Sequence, residues 1–194
     1  MSNADAELSR LFAGTINTLQ TTRERSSQCS ARNGPPVFGK FANVIQDFFT
    51  KCSRYHGQAM IGRNLSQEVI PTMKICESNA ARLNETLRTA ISCSNAEGQY
   101  RTAANQMIDI LNHAIQIAHN THFTRAVGSQ VHELRQVLGE MKNTATSFDS
   151  RSTNAITNSG TGAVNFNSGT GSQFNNNGGG AQFNGSIDGF TFSP

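Results

Sequence analysis

The chain has 194 residues and is 36% hydrophobic, which leaves room for one core domain and an appendage. Its formal net charge of +3 is too small to argue for nucleic acid as a partner. It is compatible with weak attraction to an anionic membrane surface. No window approaches eighteen apolar residues, and the N-terminal MSNADAELSR lacks an apolar h-region, so neither a spanning helix nor a secretory signal is expected.

The first 149 residues read as an all-α bundle of four to five helices, antiparallel and joined by short loops. Helix one is expected from Ala4 to about Arg32, on Leu8, Leu11, Phe12, Ile16 and Leu19. Asn33-Gly34-Pro35-Pro36 stops it, because Gly frees the backbone and Pro cannot continue a helix. Helix two follows from about Val37 to Tyr55, on Phe38, Phe41, Ile45, Phe48, Phe49 and Cys52. It holds four of the five Phe residues before position 100 and is the expected central packing element.

Helix three is expected from about Leu65 to Cys93. Val69, Met73, Cys76, Ala80, Leu83, Leu87 and Ala90 form a seam with spacings of four and three. Pro71 either starts this helix or kinks it, since it lacks an N–H and crowds the preceding turn. Helix four is expected from about Ala96 to Asn120, on Tyr100, Ala104, Met107, Leu111, Ile115 and Ala118. Helix five is expected from about Thr124 to Phe148, on Val127, Val131, Leu134, Leu138, Met141, Ala145 and Phe148. Arg82, Arg88, Arg135 and Lys142, with Glu85, Glu133 and Glu140, fall between the apolar positions as solvated faces.

The body offers little chemistry. Cys29, Cys52, Cys76 and Cys93 lie far apart with no C-x-x-C pair, so buried free thiols in a cytoplasmic, reducing compartment are expected. His113, His119, His122 and His132-Glu133 form the most metal-like set. His119-x-x-His122 shares a face only if the helix continues, and Asn120-Thr121 suggests a turn there. His132-Glu133 is not followed by the second His of H-E-x-x-H. These residues read as surface or capping histidines, with no metal and no cofactor expected. Neither a phosphate-binding G-x-x-x-x-G-K-[ST] loop nor a G-x-S-x-G elbow occurs, so no enzyme is expected.

The remainder, 150–194, changes character. From 151 onward it carries only Arg151 and Asp188 as charges and has neither Leu nor Cys. Three nonapeptides align without a gap: Gly160–Ser168 (GTGAVNFNS), Gly169–Asn177 (GTGSQFNNN) and Gly178–Ser186 (GGGAQFNGS). Gly160, Gly162, Gly169, Gly171, Gly178 and Gly180 mark turns, since Gly adopts the required dihedrals without strain. Strand-sized runs between them carry Val164, Phe166, Gln173, Phe174, Asn175, Gln182, Phe183 and Asn184, the expected self-association residues. The calcium-binding nonapeptide is rejected: its Asp position holds Asn165, Phe174 and Phe183, and calcium needs carboxylate oxygens. A β-solenoid coil takes about two such units and roughly three coils to bury a core, so one chain falls short and the tail alone is expected to be disordered. Stacked copies satisfy the backbone and form Asn/Gln ladders. The first unit is out of phase, with Phe166 at position seven, where Phe174 and Phe183 are at position six.

The string NSGTGAVNFNSGTGSQFNNNGGGAQFNG, from Asn158 to Gly185, resembles the sigma-type prion-like amyloid signalling motifs of fungal cell-death pathways. Gln173-Phe174-Asn175 and Gln182-Phe183-Asn184 match their Q-[FYN]-N core, and Val164-Asn165-Phe166-Asn167 departs from it. The layout is similar to HeLo-like death domains and the N-terminal domains of STAND (NLR-type) receptors. The resemblance implies a cell-death or innate-immune effector or adaptor of the kind found in heterokaryon incompatibility. A receptor carrying a matching motif templates the tail, copies assemble on one another, and the helical domains then act at the plasma membrane. Asp5, Glu7 and Arg10 leave helix one amphipathic rather than strongly apolar, which fits surface binding better than insertion. The competing expectations are a constitutively self-assembling structural protein, an inert linker tail, and a helical enzyme or metal-binding bundle.

Overall fold

The computed structural model describes residues 3–58 and 65–152. Every regular element among them is helical. The chain divides into two units, Met1–Phe148 and Asp149–Pro194. The repeat, with its expected disorder, lies outside the described residues.

Helix α1 is Asn3–Ala31 and α2 is Val37–Gln58. Helix α3 is Leu65–Ser92 and α4 is Glu97–His119. A short α5, Thr124–Val127, and a 3-10 turn, Gly128–Gln130, lead into α6, Val131–Ser152. The expected single last helix is therefore broken. Val127 leaves helical geometry at φ −128° and ψ 4°, beside the unbranched backbone of Gly128. Helix α3 is not cut at Pro71, which lies inside it. Helix α2 outruns its expected end by three residues, through His56, Gly57 and Gln58.

The α1–α2 corner stops as expected but by a different residue. Asn33, not Gly34, takes the left-handed conformation, with φ 63°. The Cys29 carbonyl accepts the N–H groups of Arg32 at 3.0 Å and Gly34 at 2.8 Å, closing the last turn. Gly34 is needed for space, since a Cβ there would sit 2.6 Å from the Cys29 carbonyl oxygen.

The apolar stripes assemble one core. All seven seam positions of α3 are buried, and Phe38, Phe41, Phe48 and Phe49 make α2 its aromatic centre at 0% exposure. Neighbouring helices are not all antiparallel. Helix α1 packs on both α2 and α3. Lys74 pairs with Glu7 at 2.7 Å and Arg10 with Glu77 at 3.3 Å, while Arg25 donates to Asn84 and Arg32 to the Ile91 carbonyl. The numbers rise together, so α1 and α3 run parallel. Helix α6 is antiparallel to α2, as Lys40 meets Glu140 at 2.7 Å and Asp47 accepts from Gln130 at 2.6 Å. Helices α2 and α4 run parallel, with Phe38 against Tyr100 at one end and Tyr55 near His122 at the other.

The face α1 turns to the core is partly polar. Thr15, Thr22 and Ser26 are 0% exposed. Thr22 returns its hydroxyl to the Thr18 carbonyl at 2.9 Å, whereas the Thr15 and Ser26 hydroxyls have no partner among the described residues.

Candidate functional site

The sequence-derived self-association residues, Val164 to Asn184 with their turn glycines, fall outside the described residues. Within the helical unit, the chemistry-bearing side chains gather at one end, where α4 turns into α5.

That turn is built from Asn120. Its backbone is extended, φ −63° and ψ 133°, which ends α4 at His119. The Asn120 side chain accepts from the His122 N–H at 3.0 Å and donates to Glu68 at 3.2 Å. Thr124 returns its hydroxyl to the Asn120 carbonyl at 2.9 Å and the Ala118 carbonyl at 3.2 Å, satisfying groups that the helix end exposes. His119 and His122 therefore do not share a helix face.

Six rings converge beside this turn. Phe12 lies 6.4 Å from Phe49, 6.1 Å from His56 and 5.8 Å from Phe123. His122 lies 5.4 Å from Tyr55, 4.8 Å from Phe123 and 6.0 Å from His56. Several pairs are edge-to-face, the arrangement that aligns ring edges with ring faces. The cluster packs α1 against α2 and the α4–α5 turn. It is a structural cap on the core.

The histidines separate accordingly. His113 is half-buried, with Nδ1 2.6 Å from the Asp109 carbonyl, and His119 Nε2 lies 3.2 Å from Arg135. His132 is exposed. Among the described residues no three His, Cys, Asp or Glu side chains are grouped to hold a metal ion.

His56 is the member that sequence reasoning missed. It is 4% exposed and its Nε2 has no hydrogen-bond partner among the described residues. Its signal was present: it lies four residues beyond Cys52 on the apolar stripe of α2. Ending that helix at Tyr55 hid it.

No disulfide joins the cysteines. Cys29, Cys52 and Cys76 are buried and Cys93 is half-buried. Burial alone pushes the Cys76 thiol up to about 12 and raises Cys52 further. Cys29 is raised by burial and opposed by the nearby Arg32 charge. Thiols held this way are poor nucleophiles, because the thiolate is the reactive form. At the opposite end, a shallow polar depression between α3 and α4 is lined by Glu85, Thr86, Thr89, Gly98, Gln99 and Thr102. Glu85 is held below the usual carboxylate range by its hydrogen bonds to Arg88, with the Arg25 charge assisting. No helix among the described residues is long and apolar enough to cross a membrane.

Comparisons with protein-family models, with curated proteins and with solved structures find no match.

Proposed function

We propose that this chain is a two-part signalling protein whose tail assembles on a template and thereby gathers its helical domains. The observation that carries the reading is the uninterrupted nine-residue register of the tail. The register runs beyond its three clearest units. The third position reads Gly162, Gly171, Gly180 and Gly189, and the sixth reads Ile156, Asn165, Phe174, Phe183 and Phe192. A flexible spacer requires Gly and polar residues, but not Phe at the sixth position of three successive units, Phe174, Phe183 and Phe192, after the unit in which Asn165 takes that place. Units that stack on one another use such a return, because it places like on like from rung to rung.

The reading makes the cytoplasmic chain a cell-death or innate-immune effector or adaptor. Its partners are copies of itself, an NLR-type receptor ending or beginning in the same Q-F-N repeat, and an anionic membrane surface. The core-packed imidazole of His56 and the buried thiols of Cys29, Cys52 and Cys76 support an interaction role over a catalytic one.

Seeding tests the proposal. The purified full chain is incubated with and without preformed fibrils of the 151–194 peptide, and thioflavin fluorescence is followed. The expected result is a long lag that seeds abolish, together with sedimentation of the full chain. Prompt assembly without seeds makes the chain a constitutive structural protein instead. No assembly under either condition removes the reading.

A further inference from the structure

The charge of the helical unit is divided along its length. Helices α1, α3 and α6 run one way and α2 and α4 the other, so segments 18–46, 79–108 and 140–148 share one end. They carry eight Arg and Lys against four Glu, a net of +4. The opposite segments, 3–17, 47–58, 65–78 and 109–139, carry six Arg and Lys against seven Asp and Glu, a net of −1.

Pairing sharpens the contrast. At the balanced end Glu7 meets Lys74, Arg10 meets Glu77 and Asp47 meets Lys51. At the cationic end Lys40 and Arg88 have acidic partners. Arg25 instead donates to the carbonyl and side-chain oxygens of Asn84, at 2.6 and 2.8 Å, and Arg32 to the Ile91 carbonyl. Those acceptors are neutral; Glu85 feels the Arg25 charge, and Arg32 makes no ion pair among the described residues. Arg23 and Arg82 are exposed and make no ion pair among the described residues.

The surroundings select the partner. Phe38, Phe41, Tyr100 and Phe148, the rings of this end, are buried, so they offer no platform on which bases stack. Val44, Ile91 and Ile108 of this end are half-buried, and the exposed large apolar side chain among the described residues, Ile75, belongs to the other end, so this end presents little to insert into hydrocarbon. Arg23 and Arg25 come from α1, Arg32 from the loop after it and Arg82 and Arg88 from α3, with Lys40, Arg101 and Lys142 on α2, α4 and α6, so the cations are spread across this end. That distribution suits a plane of anionic head groups, held by charge alone.

We infer that the cationic end of the helical unit is an electrostatic docking surface for anionic phospholipid, engaged when several copies are linked. One copy with a net of four charges binds weakly and reversibly. Linked copies gain about 10²- to 10⁴-fold in avidity without any new contact. The linking step rests on the proposed tail assembly, and the docking surface does not.

The test separates the two. Full-length chain is compared as unassembled protein, as seeded fibrils, and on streptavidin beads through a C-terminal biotin. Each is mixed with vesicles of phosphatidylcholine alone or of equimolar phosphatidylcholine and phosphatidylserine. The expected result is retention of phosphatidylserine vesicles by beads and fibrils at least about tenfold above the unassembled chain, lost at high salt. Arg23→Glu with Arg82→Glu should abolish retention without altering the thermal melt. Arg54→Glu with Arg125→Glu changes net charge equally at the balanced end and should leave retention intact. Fibrils that never form, with beads that still retain vesicles, discredit the tail reading and leave the surface standing. Equal loss in both double variants, equal binding of both vesicle types, or full displacement by duplex DNA at matched phosphate overturns the surface.

Discussion

Asn33 and Gly34 close α1 by different means, and substitutions should tell them apart. Asn33 tolerates its positive φ of 63°, but Gly tolerates it better, so Asn33→Gly should leave stability unchanged or slightly raised. Gly34→Ala puts a methyl 2.6 Å from the Cys29 carbonyl oxygen and 2.8 Å from its carbon. Both are backbone atoms inside a hydrogen-bonded turn and have no flexible end to swing aside. We expect a loss on the order of 1–3 kcal/mol, read as a lower urea midpoint with an unchanged slope. A midpoint equal to the parent's would mean that the corner relaxes freely. Phe12 is a second sensitive position, because it touches Phe49 and His56 of α2 and Phe123 of the α4–α5 turn. Phe12→Ala should cost about 3–5 kcal/mol, and Phe12→Leu clearly less. Equal losses would show that ring packing is not what the cluster supplies.

The parallel pairing of α1 and α3 marks where sequence reading ends at the scale of elements. The heptad of α3 predicts its buried face residue by residue, from Val69 to Ala90. Such a stripe says that a face is covered and is silent on which helix covers it. The covering face of α1 contains Thr15, Thr22 and Ser26, which share the spacing of the stripe but whose polarity points to solvent. Their small side chains let the helices approach, and Thr22 answers its own polarity from within the helix. The break before α6 was equally hidden, because Val127 and Val131 keep a helical spacing across the turn. Of the candidate site, the turn at Asn120 was legible from residue type, whereas His56 needed the extra turn of α2. The thiols test this packing. In the native chain Cys93 should alkylate first, and Cys52 and Cys76 only through unfolding, as pulse labelling and mass spectrometry would report. Rapid labelling of either buried thiol would contradict the core described. The raised thiols also set a pH dependence. Their folded values exceed the ordinary 9.0, so their contribution is fully present below that pH and is lost as pH rises above it. The melting temperature should therefore fall above about pH 9, more steeply in the parent than in Cys52→Ala with Cys76→Ala. Identical slopes would remove the thiols as the cause.

At the scale of the whole molecule, the helical unit and the repeat obey different rules, and one double substitution should separate them. The core of Met1–Phe148 is closed by its own stripes, from Leu8 to Phe148. Proposed assembly depends instead on neutral side chains repeating in register, at Phe174 and Phe183 above all. In a stack, each copy of a residue lies about 4.8 Å from the next. Unit charges at that spacing repel by about 1 kcal/mol even at the dielectric constant of water, and by more once the stack excludes it. Two such columns act on every rung and grow with the fibril, so no favourable ladder of Asn or Gln elsewhere escapes them. Phe174→Asp with Phe183→Asp should therefore abolish seeded fibrils at neutral pH, while the helical circular dichroism and thermal midpoint of the chain stay at parent values. Acidification below the carboxylate range should partly restore assembly, because protonation removes the repulsion and leaves only the lost rings. Phe174→Tyr with Phe183→Tyr keeps ring and neutrality and should assemble like the parent. Fibrils of the Asp variant at neutral pH would place the assembling core elsewhere in the chain. A lowered thermal midpoint would instead show that the two segments fold together, and the division into an independent core and an assembling repeat would have to be abandoned.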